Sequence, residues 1–378
     1  MKPKRLLLIS LAFIFILGMS FTGCNSGGGN TQSDDNNTQS SSDSGSTQST
    51  DSGDSGGSDT VTNWSFYCAY GPEDGACTFI WPGLFDEVKE KTGGRLVIST
   101  YWAGQHPYAE DDLLKALEDG SAQLAHFYGG YLSSVEPIFA ADSLPLMFPV
   151  DSMEAWDVIS GIWGNFNLDK SGVLENALQE RWGASMVHMV PASPQRFFTT
   201  GFPVDTVDAL KGHKIRTYSP EFAKVIQIMG GTPVSISFSE VYTSLATNLI
   251  DGLITSTAFA ESGGFFDYVN TIGKWELTQS TDGLMVDLNA LNALPDDVRE
   301  IFLSIMHTSA TKPEMLEVDD NNAIVERLIS EGVVVSAPTD EVREAVKATA
   351  KTEIWDPWLD TVGDEGQKLL DQINSLMN

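Results

Sequence analysis

From Val61 onward the chain alternates short strand-like stretches with helix-like ones, and this alternation restricts the fold more than any other feature. Asn63–Tyr70, Arg95–Trp102 and Gln123–Tyr128 read as strands, rich in β-branched and aromatic residues. Between them, Phe79–Lys91 carries Ile80, Leu84 and Val88 at helical spacing and stops at Thr92-Gly93-Gly94, while Glu110–Glu118 is a second helix closed by Gly120. The proline-punctuated run VEPIFAADSLPLMFP stays apolar and is expected to pack over the domain. Helices near Ser152–Trp163 and Gly172–Trp182 precede a strand at Ala184–Val190. Repeated strand–helix–strand units predict an α/β fold with a mainly parallel sheet, in which ligands sit beyond the carboxyl ends of the strands.

The second half repeats the pattern. Arg196–Thr200, Lys214–Tyr218, Pro233–Phe238 and Leu253–Thr257 read as strands, with a short helix at Thr206–Leu210 and a longer one at Glu221–Met229. Ser237-Phe238-Ser239-Glu240 has capping-box spacing ahead of a helix at Val241–Leu249. Later residues are mostly helical: Pro295 to about Ile329 reads as one long element and Glu341–Trp355 as another. The expectation is a two-lobed α/β clamshell with a long inter-lobe helix. Residues 61–192 form the first lobe, with 282–320 returning to it; residues 193–281 form the second, with 321–378 as its helical tail.

Neither lobe includes the first 60 residues. Lys2, Lys4 and Arg5 precede the apolar run LLLISLAFIFILGM, which is too short for a good spanning helix, and Phe21-Thr22-Gly23-Cys24 ends it. Residues 1–24 therefore read as an export signal. Cys24 is placed as in a bacterial lipobox, which it resembles with Phe21 in place of the usual leucine; the resemblance implies cleavage before Cys24 and lipidation there. The alternative is an ordinary signal peptide with an incidental cysteine. Residues 25–60 are Ser, Gly, Asp, Asn, Thr and Gln with no large apolar side chain, too little buried surface to offset ordering entropy, and so predict a disordered tether to a membrane. On either reading the mature chain works outside the cytoplasm, in a periplasm or at a cell surface.

Cys68 and Cys77 remain in the folded part, where an exported chain most simply pairs them in a disulfide; two buried free thiols are the alternative. No histidine lies near enough to them for a metal site. The five histidines (His106, His126, His188, His213, His307) are scattered, and no HExxH, GxSxG, CxxC, P-loop or GxGxxG motif occurs. No catalytic residue, cofactor or metal is expected, and an exported hydrolase is the weakest rival reading. With 52 acidic residues against 22 basic ones the net charge is −30, which excludes a nucleic-acid partner.

Against that charge, LKGHKIRTYSP places Arg216 inside a short apolar–polar alternation. A guanidinium presents a planar fork that matches a carboxylate. The residues alone allow two readings of equal weight: a ligand clamp, or a structural arginine paired with a neighbour such as Glu221.

The stretch KGHKIRTYSPEFAKVIQIMGGTPVSISFSEVYTSLATNLIDG resembles the core signature of the solute-binding proteins of tripartite ATP-independent periplasmic (TRAP) transporters, with its Lys-Gly-x-Lys-Ile-Arg, Gly-x-x-Pro, Ser-Glu-Val-Tyr and Asp-Gly in order. Upstream, FDEVKEKTGGRLVISTYWAGQ and ALEDGSAQLAHF are similar to the family's first helix and following elements, so the resemblance runs over most of residues 61–375. It implies a periplasmic-binding-protein-like clamshell in which Arg216 forms a two-pronged salt bridge with the carboxylate of a bound organic acid, Arg196 contacts the same group, and Phe238 lines the cleft. It also puts Thr255 where some relatives use asparagine. The other lobe departs from the sialic-acid binders of the family: Phe127–Tyr131 stands where those place an acidic side chain, and Gln105-His106-Pro107 replaces Gln-Leu-Gly. Tyr67, Tyr70, Trp102 and Tyr128 are then expected to build an aromatic pocket for a small monocarboxylate with an apolar or aromatic body. The implied partners are the small and large membrane subunits of a TRAP transporter, driven by an ion gradient. A clamshell serving a sensor or an ABC importer is the runner-up, and the KIR-to-SEVY series argues against the importer.

Overall fold

The computed structural model describes residues 60–72, 80–164, 168, 172–310 and 318–377. The expected signal, the lipidation site Cys24 and Cys77 lie outside the described residues, as does the tether up to residue 59. Cys68 is disulfide-bonded.

Eleven strands are described: β1 (Thr62–Tyr67), β2 (Leu96–Tyr101), β3 (Leu124–Phe127), β4 (Ala184–Pro194), β5 (Arg196–Thr199), β6 (Lys214–Thr217), β7 (Thr232–Ser235), β8 (Gly252–Thr255), β9 (Thr271–Gly273), β10 (Gln279–Asp287) and β11 (Val334–Ser336). They form two sheets, in the orders β2-β1-β3-β10-β4 and β11-β9-β5-β8-β6-β7. The helices fall beside them for local reasons. Trp81–Lys91 buries Trp81, Leu84, Phe85 and Val88 on one face, carries a proline in its first turn and ends where Gly93 and Gly94 adopt positive φ. Pro220–Ile228 starts where the Ser219 hydroxyl accepts from the Phe222 amide at 3.2 Å.

Each sheet is mixed rather than wholly parallel. β10 runs antiparallel to both β3 and β4, and β5 antiparallel to both β8 and β9, while the remaining pairs are parallel. The reversed strands belong to the segments that pass directly between the sheets. β4 runs into β5 through Gln195 and β9 returns to β10, and with no helical crossover to turn the chain, an antiparallel neighbour results. Gln195 and the returning segment are cross-bonded there, Gln195 N to Thr278 O and Leu277 N to Gln195 O, both at 2.9 Å.

Other expectations are also corrected. Thr206–Leu210 forms hydrogen-bonded turns instead of a helix. Ser237 does not cap the following helix; its hydroxyl donates to the Glu240 carboxylate at 2.9 Å, so the two side chains satisfy each other and not the backbone. The long element from Pro295 is two helices, Asp296–Ala310 and Val318–Ser330, with 311–317 outside the described residues. Each buries its apolar face on a different lobe: Phe302 meets Trp64 of β1 edge to face at 5.4 Å, whereas Leu328 joins the core of the second sheet. The tail, expected with the second lobe, packs largely on the first. Its indoles donate to backbone carbonyls of the proline-rich loop, Trp358 to Pro137 at 2.7 Å and Trp355 to Pro145 at 3.0 Å, and Gln372 donates to Gly161 at 3.1 Å. That loop is buried from Ile138 to Phe148, as its apolar composition requires.

Asp142 lies within it, 1% exposed, beside Gly129, where any Cβ would overlap its carboxylate. Burial raises the Asp142 carboxyl to about 7, against the pull of the nearby Trp163 indole N–H and of the Thr281 hydroxyl, which donates to Oδ2 at 3.4 Å. Because the folded-state value is raised, its contribution to stability is complete below the ordinary carboxylate range and lost as pH rises through about 7. Denaturant unfolding at pH 5 and pH 8 is expected to show a larger drop for the wild type than for Asp142→Asn; equal drops would mean that Asp142 is ionised in the fold.

Candidate functional site

Three parallel strands of the second lobe, β7, β6 and β8, end at one place. Strand alternation points Arg216 and Tyr218 to the same side of the β6 edge. Arg216 is 1% exposed and lies across its neighbours: Nε donates to the Ile236 carbonyl beyond β7 at 2.9 Å and Nη1 to the Ile254 carbonyl of β8 at 3.4 Å. Its Nη2 has no hydrogen-bond partner among the described residues. Glu221, the structural alternative, instead accepts from Ser133 of the first lobe at 3.1 Å. The Tyr218 ring stacks under the guanidinium, 5.2 Å from Cζ to the ring centroid.

Facing this arginine across an inner chamber are Tyr70, Tyr128, Tyr131 and Asp282 of the first lobe, while Phe238, Thr255, Ser256 and Phe259 line it from the second and Gln195 from the crossing. Three expected residues, Tyr70, Tyr128 and Phe238, thus meet Arg216 and Thr255. The lobes touch here. The Tyr128 and Tyr218 hydroxyls are 2.8 Å apart, and Tyr218 also donates to Gln195 Oε1 at 2.9 Å. Burial, and for Tyr70 the neighbouring Asp282 as well, holds the Tyr70, Tyr131 and Tyr218 phenols well above their ordinary range, so they remain protonated donors. The inner chamber has about 20 Å³ of free space. Next to it lies a cavity of about 620 Å³, and Tyr131 and Tyr218 line both. Glu110 borders the larger cavity; burial raises its carboxyl, opposed by Arg216 and by the Phe238 amide.

The remaining expected residues sit elsewhere. Arg196 is taken by Glu276: Nε and Nη2 each donate to its carboxylate at 2.7 Å, and Nη1 to Thr257 Oγ1 at 2.8 Å. With its fork filled, it is not among the residues lining either cavity. Trp102 is half-buried on the first lobe's core and lines neither cavity. Tyr67 stacks on His106, ring centroids 4.6 Å apart, and His106 lines the larger cavity and bonds the Cys68 carbonyl at 2.9 Å. Sequence reasoning missed Tyr131, Tyr218, Gln195, Phe259 and Asp282. Tyr218 carried a usable signal, two residues beyond Arg216 on one strand; the others depend on which segments the two sheets bring together.

Two expectations follow. Glu276→Ala leaves a buried guanidinium without its partner and is expected to cost about 3–5 kcal/mol of stability, whereas the Arg196→Leu, Glu276→Leu double variant costs less than the sum of its singles. A loss below about 1 kcal/mol in chemical denaturation would put this pair with surface ion pairs. Tyr218→Phe removes the hydroxyl shared by Tyr128 and Gln195 and is expected to shift the lobes toward the open state by about 1 kcal/mol. Small-angle scattering should then report a larger radius of gyration, and an unchanged curve would show that this contact does not hold the lobes.

The profile of the bacterial extracellular solute-binding protein family 7, DctP, matches residues 83–358. Among curated proteins, the chain is 23% identical over 278 residues to the ectoine-binding periplasmic protein TeaA of Halomonas elongata, covering 70% of this chain and 76% of that one. A solute-binding protein of Chromohalobacter salexigens is 24% identical over 259 residues, 68% and 73% of the two chains. Among solved structures, the Bordetella pertussis solute receptor DctP6, which binds pyroglutamic acid, superposes with a TM-score of 0.74 at 22% identity, over 83% of this chain and all 100% of that one. A TRAP periplasmic solute-binding protein of Desulfovibrio salexigens with bound orotic acid gives 0.73 at 17% identity, over 83% and 98%. These likenesses carry the two-lobed fold, and the family match spans both lobes: the chain belongs to the DctP family of bacterial extracellular solute-binding proteins, the solute receptors of TRAP transporters.

Proposed function

We propose that this protein captures a small organic carboxylate between its lobes, outside the cytoplasm, and delivers it to the paired membrane subunits of a TRAP transporter. One observation carries the reading: Arg216 is a buried cation with two donors used on carbonyls, no ion pair with a carboxylate among the described residues, and Nη2 left over at the wall of an aromatic chamber. A desolvated guanidinium is most strongly satisfied by a ligand carboxylate, because charge-assisted hydrogen bonds gain most away from water. The walls of Tyr70, Tyr128, Tyr131, Phe238 and Phe259 favour a compact body with flat or apolar faces over a polyol. Relatives named for ectoine, pyroglutamic acid and orotic acid support a small ligand of this kind.

About 20 Å³ holds no organic acid. A ligand reaches Arg216 when Tyr131 and Tyr218 part and join the inner chamber to the larger cavity, and closure follows by rotation about the crossing at Gln195. The ligand shifts that equilibrium only by its greater affinity for the closed form. No chemistry is performed on the ligand, and transport is powered by an ion gradient acting on the membrane subunits. Anchoring through Cys24 would keep the receptor near those subunits.

Titration calorimetry of the wild type, Arg216→Ala and Arg216→Lys against a panel of organic acids tests the clamp. Removing one partner of a buried charge pair is expected to cost about 2–5 kcal/mol, roughly thirtyfold or more in affinity, with lysine restoring only part because it lacks the planar fork. Undiminished binding by Arg216→Ala would make the arginine structural.

A further inference from the structure

Two adjacent buried glycines, Gly129 and Gly130, open the single helical turn Gly129–Leu132 that separates Tyr128 from Ser133 on the first lobe. Neither adopts a positive φ, so what they supply is close approach and not an unusual backbone. They supply it in different directions. A Cβ on Gly129 would lie 2.0 Å from Asp142 Oδ1 and 2.5 Å from the Phe139 carbonyl, both in the first lobe. A Cβ on Gly130 would lie 2.9 Å from Cε2 of Tyr218, which belongs to the second lobe, and 2.8 Å from Cε1 of Tyr128. The first glycine seats the turn on its own lobe, and the second turns bare backbone toward the other lobe.

Tyr218 has little freedom to yield while the lobes are together. Its ring lies edge to face with Tyr131 at 5.5 Å and with Phe222 at 5.3 Å, and the Arg216 guanidinium covers it at 5.2 Å. Its hydroxyl donates to Gln195 and meets the Tyr128 hydroxyl at 2.8 Å. The same ring, with Tyr131, lines both the inner chamber and the larger cavity. Three residues beyond Gly130, Ser133 donates to Glu221 across the lobes at 3.1 Å, so this turn is a face on which the lobes meet. Packed interiors leave no slack for an added methyl group, and overlap with a held ring is relieved by moving the body that carries it.

We infer that Gly130 is a positioning residue for closure: its bare backbone is the seat on which Tyr218 lands, and the missing side chain at 130 sets how closely the lobes approach and whether the inner chamber is divided from the larger cavity. Its bearing on affinity rests on the carboxylate-capture reading above. A side chain at 130 raises the free energy of the closed form, and a ligand that binds that form loses affinity in proportion to the closed population.

Dityrosine cross-linking of the full chain, by photo-oxidation with a ruthenium(II) sensitiser and persulfate, tests this without any ligand. Mass spectrometry of the digest separates the link between Tyr131 and Tyr218, which joins the lobes, from the link between Tyr67 and Tyr101, which lies within the first lobe with ring centroids 5.7 Å apart. The expected result is that Gly130→Ala lowers the inter-lobe link roughly fivefold or more relative to the in-lobe one. Alanine is the better helix former, so the turn itself is retained. Repeating the substitution in a Tyr128→Ala background removes the overlap within the first lobe, and the inter-lobe link is expected to fall there too. An unchanged ratio in Gly130→Ala overturns the inference, as does a wild type that forms no link to Tyr218. Loss confined to the background that keeps Tyr128 overturns it as well, because the glycine would then serve Tyr128 alone. So does a variant that fails to fold or loses the in-lobe link, since a methyl group relieved by opening leaves the first lobe intact. None of these outcomes bears on whether Arg216 binds a carboxylate, so the two readings fail separately.

Discussion

A guanidinium laid across the carboxyl ends of parallel strands organises this structure. Arg216 needs acceptors once it is buried, and it finds them in the Ile236 carbonyl just beyond β7 and the Ile254 carbonyl of β8. Those two bonds fix the plane of the fork. They also consume only part of its donor capacity, which is how a buried arginine can be both structurally held and chemically unfinished. Parallel order of β6, β7 and β8 is the precondition, because only then do the three strand ends, and the residues that follow them, converge.

What faces Arg216 belongs to the other sheet, so the site exists only as far as the lobes meet. The crossing strands β4 and β10 make that meeting precise at one end, where Gln195 is bonded on both sides of its peptide to the returning chain and offers its side chain to Tyr218. At the other, contact is made by hydroxyls, Tyr128 with Tyr218 and Ser133 with Glu221. Polar contacts of this kind contribute little net free energy each. They hold two lobes together without locking them, which suits a receptor that must release what it binds. The buried Arg196–Glu276 pair stands apart from this economy: Glu276 adopts a positive φ of 45° while its carbonyl accepts from Arg343 at 3.1 Å, so it ties β5 to the segment entering β10 beside the crossing.

The contrast between the two arginines shows where reading from sequence stops. Both lie at strand ends in segments that resemble the family, yet one keeps a nitrogen without a hydrogen-bond partner among the described residues and the other is closed by a glutamate 80 residues away. Tyr70 and Tyr128 were legible as chamber residues because each follows a strand of the first sheet. Trp102 follows one too, but its strand, β2, is the edge of the sheet and its end lies beyond the chamber. Asp282 was invisible: it sits in the middle of β10, and its place in the site comes from the reversal of that strand.

Alternating periods and turn residues determined the succession of strands and helices, the two-lobed α/β class and the position of Arg216 at a strand end, because those depend on contacts between near neighbours in the chain. The ordered motifs around KIR and SEVY determined the family. Strand direction, the lobe on which the tail packs, the commitment of Arg196 and the placing of Arg216 and Asp282 on one chamber were decided by tertiary structure alone. Each rests on contacts between residues tens to hundreds of positions apart, which no local pattern of hydrophobicity or charge encodes.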